Sequence, residues 1–161
     1  MMRRSATFLI RAAALIAAAF GIYWLCIAPH RAAVVEAAVE RRTTAAQSVG
    51  PQLGAITARE NLGDLDRIAS ARRLAASWYV LYGANCELMG RWREAIDIYT
   101  RALRVDQRPE IYFDRGLAWL RLGETDAAVA EMATAARFNP FLVEQVDGEL
   151  RPRVAAAAGL K

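Results

Sequence analysis

Two cysteines and one histidine are the only thiol and imidazole groups in this chain of 161 residues. Cys26 lies in an apolar run and Cys86 in an expected packed helix, so they suggest neither a disulfide framework nor a metal site. His30 flanks the apolar run and stands alone. That removes a Ser-His-Asp or Cys-His relay and any histidine-based metal site. Asp64 and Asp66 read as a polar helix face or caps, with no apolar pocket to shift either acid. Gly83, Gly90, Gly116 and Gly123 are spaced for helix contacts, not for the consecutive backbone donors of a phosphate loop. Trp24, Trp78, Trp92 and Trp119 are too dispersed for a base-stacking platform. No catalytic residue, cofactor site or metal site is expected, and the chain reads as a non-enzyme.

Charge excludes little more. The formal net charge is +4, and Arg3, Arg4 and Arg11 carry three of those charges. The remainder is near neutral, which gives no case for nucleic acid. Glycine and proline are modest and alanine is abundant, so the composition favours helix.

From Ala12 to Pro29 no residue is charged. As a helix this run is about 27 Å long, slightly short of a ~30 Å hydrocarbon core. Extending it through Phe8, Leu9 and Ile10 reaches full span if Arg11 snorkels. Tyr23 and Trp24 stand where an aromatic belt would. Residues 1–30 are therefore expected to be a tail and a transmembrane anchor, with Ala13, Ala17, Gly21, Tyr23 and Trp24 as candidate helix contacts in lipid. A cleaved signal peptide is the rival reading, with a cut after Ala19. Tyr23-Trp24-Leu25 is too bulky for a lipoprotein cleavage box before Cys26. The short arginine-bearing tail favours a cytoplasmic N-terminus, with the bulk of the chain on the outer side.

Residues 31–58 read as a helical stalk and linker. Ala33, Val34, Ala37 and Ala38 fall at helical spacings, Ala32, Val35 and Val39 broaden the apolar stripe so that it can lie against a partner or against the repeats, Gly50-Pro51 breaks the pattern, and Gln52 to Ala58 reads as a turn or linker. Residues 59–76 read as a degenerate flanking helix, capped by Asn61 or Asp64 and covering the open side of the first hairpin beyond it. Ser77 is the expected cap of the next helix.

Residues 77–140 carry an internal repeat. Gly83 recurs as Gly116, Gly90 as Gly123, Ala95 as Ala128 and Ala102 as Ala135, each 33 residues on. Tyr79 and Tyr112 keep that spacing, as do Val105 and Phe138. A fixed period of this length marks helical hairpins that bury each other's apolar faces. Gly83 and Gly116 would sit mid-helix, unfavourable by roughly 0.5–1 kcal/mol unless a second helix comes close. Ala95 and Ala128 are the expected partners. Gly90 and Gly123 would be left-handed caps. Ala102 and Ala135 would touch the next hairpin.

These residues resemble the tetratricopeptide repeat. Tyr79, Gly83, Trp92, Ala95, Tyr99 and Ala102 match its pattern in the first copy. Tyr112, Gly116, Trp119, Ala128, Ala135 and Pro140 match it in the second. Cys86 and Met132 replace aromatics, Arg115 takes a usual leucine place, and Gln107 stands near where the closing proline would be. The resemblance implies an all-α fold, a short right-handed α-solenoid behind the transmembrane helix and stalk. It also implies a protein-binding role, with a concave side filled either by a partner peptide or helix or by the chain's own flanking helix. By repeat register Val80, Ala84, Glu87 and Leu88 would face that side from the first copy, and Phe113, Leu117, Leu120 and Arg121 from the second. Family members that clamp a carboxyl-terminal peptide use lysines and asparagines in these places. Val80, Ala84, Phe113 and Leu117 stand there instead.

Residues 141–161 are expected to cover the last hairpin, with Arg153 to Leu160 as a short helix. Left uncovered, Phe141, Leu142 and Val146 would be a sticky patch. The functional expectation is a membrane-anchored interaction adaptor, an accessory subunit or assembly factor of a larger bacterial-type membrane complex. Its partners would be a protein and the lipid bilayer, with neither nucleic acid nor a small-molecule substrate. The alternatives are a secreted soluble scaffold after cleavage and a small membrane-bound enzyme.

Overall fold

The computed structural model describes residues 13–72 and 75–160, with residues 71 and 72 described in backbone only. The arginine-bearing tail, Arg73, Leu74 and Lys161 lie outside the described residues. The described chain is all-α and strand-free.

The uncharged run forms the start of one long helix, α1 (Ala13–Gln47), which is long and apolar enough to cross a membrane. Pro29 has no N–H to donate one turn back. The helix absorbs this with a wide π turn over Tyr23–Ile27, in which the Ala28 N–H donates to the Tyr23 carbonyl. Beyond it, Ala28–Gln47 lies against the helices that follow, one of the two placements open to its apolar stripe. It packs antiparallel against α2 (Pro51–Arg72) and also touches the first repeat helix. Ala32, Val39 and Ala46 are buried along that face.

The expected linker over Gln52 to Ala58 is helical, because Pro51 supplies a preset first-turn φ and the helix then runs unbroken to Arg72. Asn61 and Asp64 are consequently mid-helix and cap nothing. Asp64 pairs with Arg42 and Arg67, each at 2.5 Å. Asn61 is fully buried. Its amide donates to Thr43 Oγ1 at 3.2 Å and to Asn85 Oδ1 at 2.9 Å. The Asn85 amide also donates to Thr43 Oγ1, at 2.9 Å. One polar knot thus joins three helices.

Four helices carry the repeat: α3 (Ala76–Leu88), α4 (Trp92–Val105), α5 (Pro109–Arg121) and α6 (Thr125–Phe138). In α4, α5 and α6 the first turn holds an acid (Glu94, Glu110, Asp126) and the last an arginine (Arg104, Arg121, Arg137), as the helix dipole favours. Gly90 and Gly123 adopt φ of +70° and +84°, the left-handed turns that let each hairpin fold back. Ser77 is not a cap. The extended residue before α3 is Ala75, with no side-chain capping bond.

The two mid-helix glycines are where the second helix comes close, but at Gly83 the residue met differs from expectation and at Gly116 a second residue joins Ala128. A Cβ at Gly83 would lie 2.6 Å from Tyr99 Cε1, so the ring of Tyr99, not Ala95, fills the space. A Cβ at Gly116 would lie 2.9 Å from Met132 Cγ and 3.3 Å from the Ala128 carbonyl. Arg115, out of place in an apolar pattern, bonds both Glu131 oxygens at 2.7 and 2.8 Å and Thr100 Oγ1 at 2.9 Å. It therefore ties α5 to both neighbours.

The tail forms a 3-10 turn (Pro140–Gln145) and α7 (Arg151–Ala158), which packs on α6. Leu142, Val146 and Val154 are buried in the second apolar core with Phe113, Val129 and Met132. Of the expected sticky patch only Phe141 stays exposed. Stacked helix hairpins consistent with a tetratricopeptide-like solenoid thus succeed the N-terminal apolar helix.

Candidate partner-binding groove

Consecutive helices run in opposite directions, so the stack has two ends. Turns 48–50, 89–91 and 122–124 lie at one end, about 30 Å along α1 from Ala28. Helix α1 enters at the other. The groove opens at the first, distal end.

Ala84, Glu87 and Leu88 of α3 and Leu117 and Arg121 of α5 line one cavity with Gln47 and Trp92, about 180 Å³ in volume. Helical spacing explains the set: positions three and four apart fall on one face. An adjoining cavity of about 550 Å³ shares Gln47, Glu87, Leu88, Trp92 and Arg121 and runs under the α1–α2 turn at Val49 and Pro51. Five of the eight residues expected on the concave side therefore meet. Phe113 and Leu120 belong to the core beneath α6, and Val80 packs against the core around Trp78 and Tyr99. From α5 only Leu117 and Arg121, one helical turn apart, reach the opening.

Glu87 is the ionisable group on the floor. Burial pushes its carboxyl up to about 8, and nearby Asp114 adds to the rise. The Tyr99 hydroxyl, which donates toward it, and Arg121 oppose the rise. Its Oε1 is buried without a partner. Asp114 is itself raised to about 6 by burial, with Glu110 pushing the same way and Arg108 opposing. At the rim the Arg121 guanidinium lies 6.0 Å from the centre of the Trp92 ring, within cation–π range. Burial raises the Cys86 thiol to about 12, so it is a packed, unreactive group.

Sequence reasoning missed Gln47, Trp92 and Val49 as groove residues. Trp92 was legible only as a repeat-pattern aromatic. It is half-buried at the groove, directly after the left-handed turn at Gly90. Gln47 and Val49 could not be placed while residues 31–58 read as a stalk.

Of the expected helix contacts in lipid, Ala13, Ala17, Gly21, Tyr23 and Trp24 are all exposed on α1, and nothing approaches Gly21. Tyr23 and Trp24 also border a cavity of about 230 Å³ with Arg31, Val35, Arg67, Ile68 and Ser70. Among the described residues no three of His, Cys, Asp and Glu converge as a metal site.

No family model and no curated protein matches the sequence. Among solved structures, a thermophilic TPR protein of Thermus thermophilus superposes with a TM-score of 0.60 at 24% identity, covering 78% of this chain and 63% of its own. This chain thus spans less than two thirds of that protein. A T3SS complex from Aeromonas hydrophila gives a TM-score of 0.48 at 24% identity, covering 75% of this chain and 76% of that one. The first likeness agrees with the helical-repeat fold.

Proposed function

We propose that the protein is a membrane-anchored adaptor that holds a segment of a protein partner in the distal groove, as an accessory subunit or assembly factor of a membrane complex. The observation that carries this reading is the groove itself. It is open, apolar along Ala84, Leu88 and Leu117, and bounded by an aromatic–arginine pair at Trp92 and Arg121. Aromatic and arginine side chains are the residues on which interfaces most depend. The unpartnered Glu87 oxygen suits a hydrogen-bonding group brought by the partner, because a buried polar atom left unpaired is costly. The apolar helix supports the second half of the reading. An anchor restricts encounters to one membrane face and raises the effective concentration of neighbours there.

The test is purification of the full chain from its native membrane in mild detergent, with quantification of co-eluting proteins. The same is done for Leu88→Asp and for Arg121→Glu. A partner retained by the wild type and lost by both variants is expected. A protein that elutes alone, or a partner held equally by all three, defeats the adaptor reading. Stoichiometric recovery in the mature complex identifies a subunit, and recovery only from immature assemblies an assembly factor.

A further inference from the structure

We propose that the end of the solenoid opposite the groove rests on the bilayer, with Val105 and Phe141 in the headgroup region. The proposal relies on the reading of α1 as a membrane span.

Helix direction places the junctions between hairpins together. The α2–α3 junction, the α4–α5 junction at Asp106 to Arg108 and the α6 end at Phe138 all lie at the end where α1 enters. The depth of that end is set by contact. Arg67, Ile68 and Ser70 of α2 share a cavity with Tyr23 and Trp24, the expected interfacial aromatics of α1. Because α1 runs unbroken from Ala13 to Gln47, no linker lets the hairpins lift away.

The same end exposes large apolar side chains. Val105 is 47% exposed, Phe138 63% and Phe141 76%. Each follows or ends a helix that packs well elsewhere, and water is an unfavourable neighbour for all three. Arg104 in the last turn of α4 is exposed beside Val105, and Arg108 neutralises Asp106 at 3.0 Å. Exposed apolar side chains flanked by arginines are the composition of an interfacial surface. The continuity of this edge with the anchor selects lipid over a protein partner.

The experiment uses the full chain with Cys26→Ser, in liposomes of phosphatidylethanolamine and phosphatidylglycerol. Cys86 is buried and is left in place. One cysteine at a time is introduced at Ile16, Val105, Phe141 or Glu124 and labelled with an environment-sensitive fluorophore. Quenching by spin-labelled lipid is then read. Phe138 is avoided because its ring stacks on Tyr112, 6.2 Å away. Strong quenching at position 16 is expected, with blue-shifted emission and quenching at 105 and 141 several-fold above that at 124. Adding Phe141→Asp to the chain labelled at 105 should weaken quenching there. If position 16 is quenched while 105 and 141 behave like 124, the anchor stands and the docked edge is wrong. A blue shift at 141 without lipid quenching means that protein covers it, which also overturns the proposal. No quenching at 16 refutes the span, and the docked edge with it.

Discussion

Tyr99 occupies the space that a side chain at Gly83 would take, and its hydroxyl reaches Glu87 one helical turn on. The second copy repeats the arrangement with different chemistry. Met132 lies over Gly116, and Leu120 stands where Glu87 would be. The polar pair and the apolar pair are alternative fillings of one packing site, and only the polar one opens onto the groove.

Substituting Gly83→Ala should destabilise the protein. The added methyl meets a fully buried ring, and overpacking of this kind costs ~1–3 kcal/mol, more than the gain of up to ~1 kcal/mol in helix propensity. Gly116→Ala should be milder, since the flexible Met132 side chain can move. Thermal melts of the full chain in detergent check the order. Tyr99→Met in the Gly83→Ala background should recover part of the loss, a non-additivity that residues out of contact would not show.

Stability should fall as pH rises from about 5 to 8. Glu87 titrates near 8 in the folded chain and near 4.5 when unfolded, so between those values the folded state holds the extra proton. That stabilisation is present at the acid end and is lost as pH passes through the folded value. Glu87→Gln should remove most of the slope. Asp114, raised from 3.8 to about 6, leaves a smaller fall at lower pH. Urea unfolding across a pH series measures both.

Arg115→Leu restores the residue type usual in the resembling family, yet it should cost ~2 kcal/mol or more by stranding the half-buried Glu131 carboxylate. Arg115→Leu with Glu131→Gln should cost less than Arg115→Leu alone. Equal melting temperatures for the single and double variants would show that the ion pair is not what holds α5 to α6.

The knot of Thr43, Asn61 and Asn85 should act as one unit. Thr43→Val removes the acceptor shared by two buried amides, and an unpaired buried group costs ~1–3 kcal/mol. Asn85→Ala should cost about as much, and the double variant little more than either. Hydrogen exchange should rise in α1, α2 and α3 before it rises in α6, because the knot ties those three helices and not α6.

The linear chain by itself determined the helical class, the apolar N-terminal run and the 33-residue echo from Gly83 to Gly116. It also located the left-handed turns at Gly90 and Gly123. These come from local rules, since periodicity, charge-free length and glycine's freedom at positive φ need no distant partner. What lies far apart in sequence was decided only in three dimensions. Residues 31–58 read as a stalk and linker because alanine at helical spacing does not say what it faces, and Asn61 read as a cap because a polar residue near a helix pattern is more often terminal than buried. Their true roles depend on Asn85, 24 residues beyond Asn61. The groove obeyed the same logic. Repeat register assigned Glu87 and Arg121 to one side, but packing between distant helices left Phe113 in the core and brought Gln47 and Trp92 to the rim.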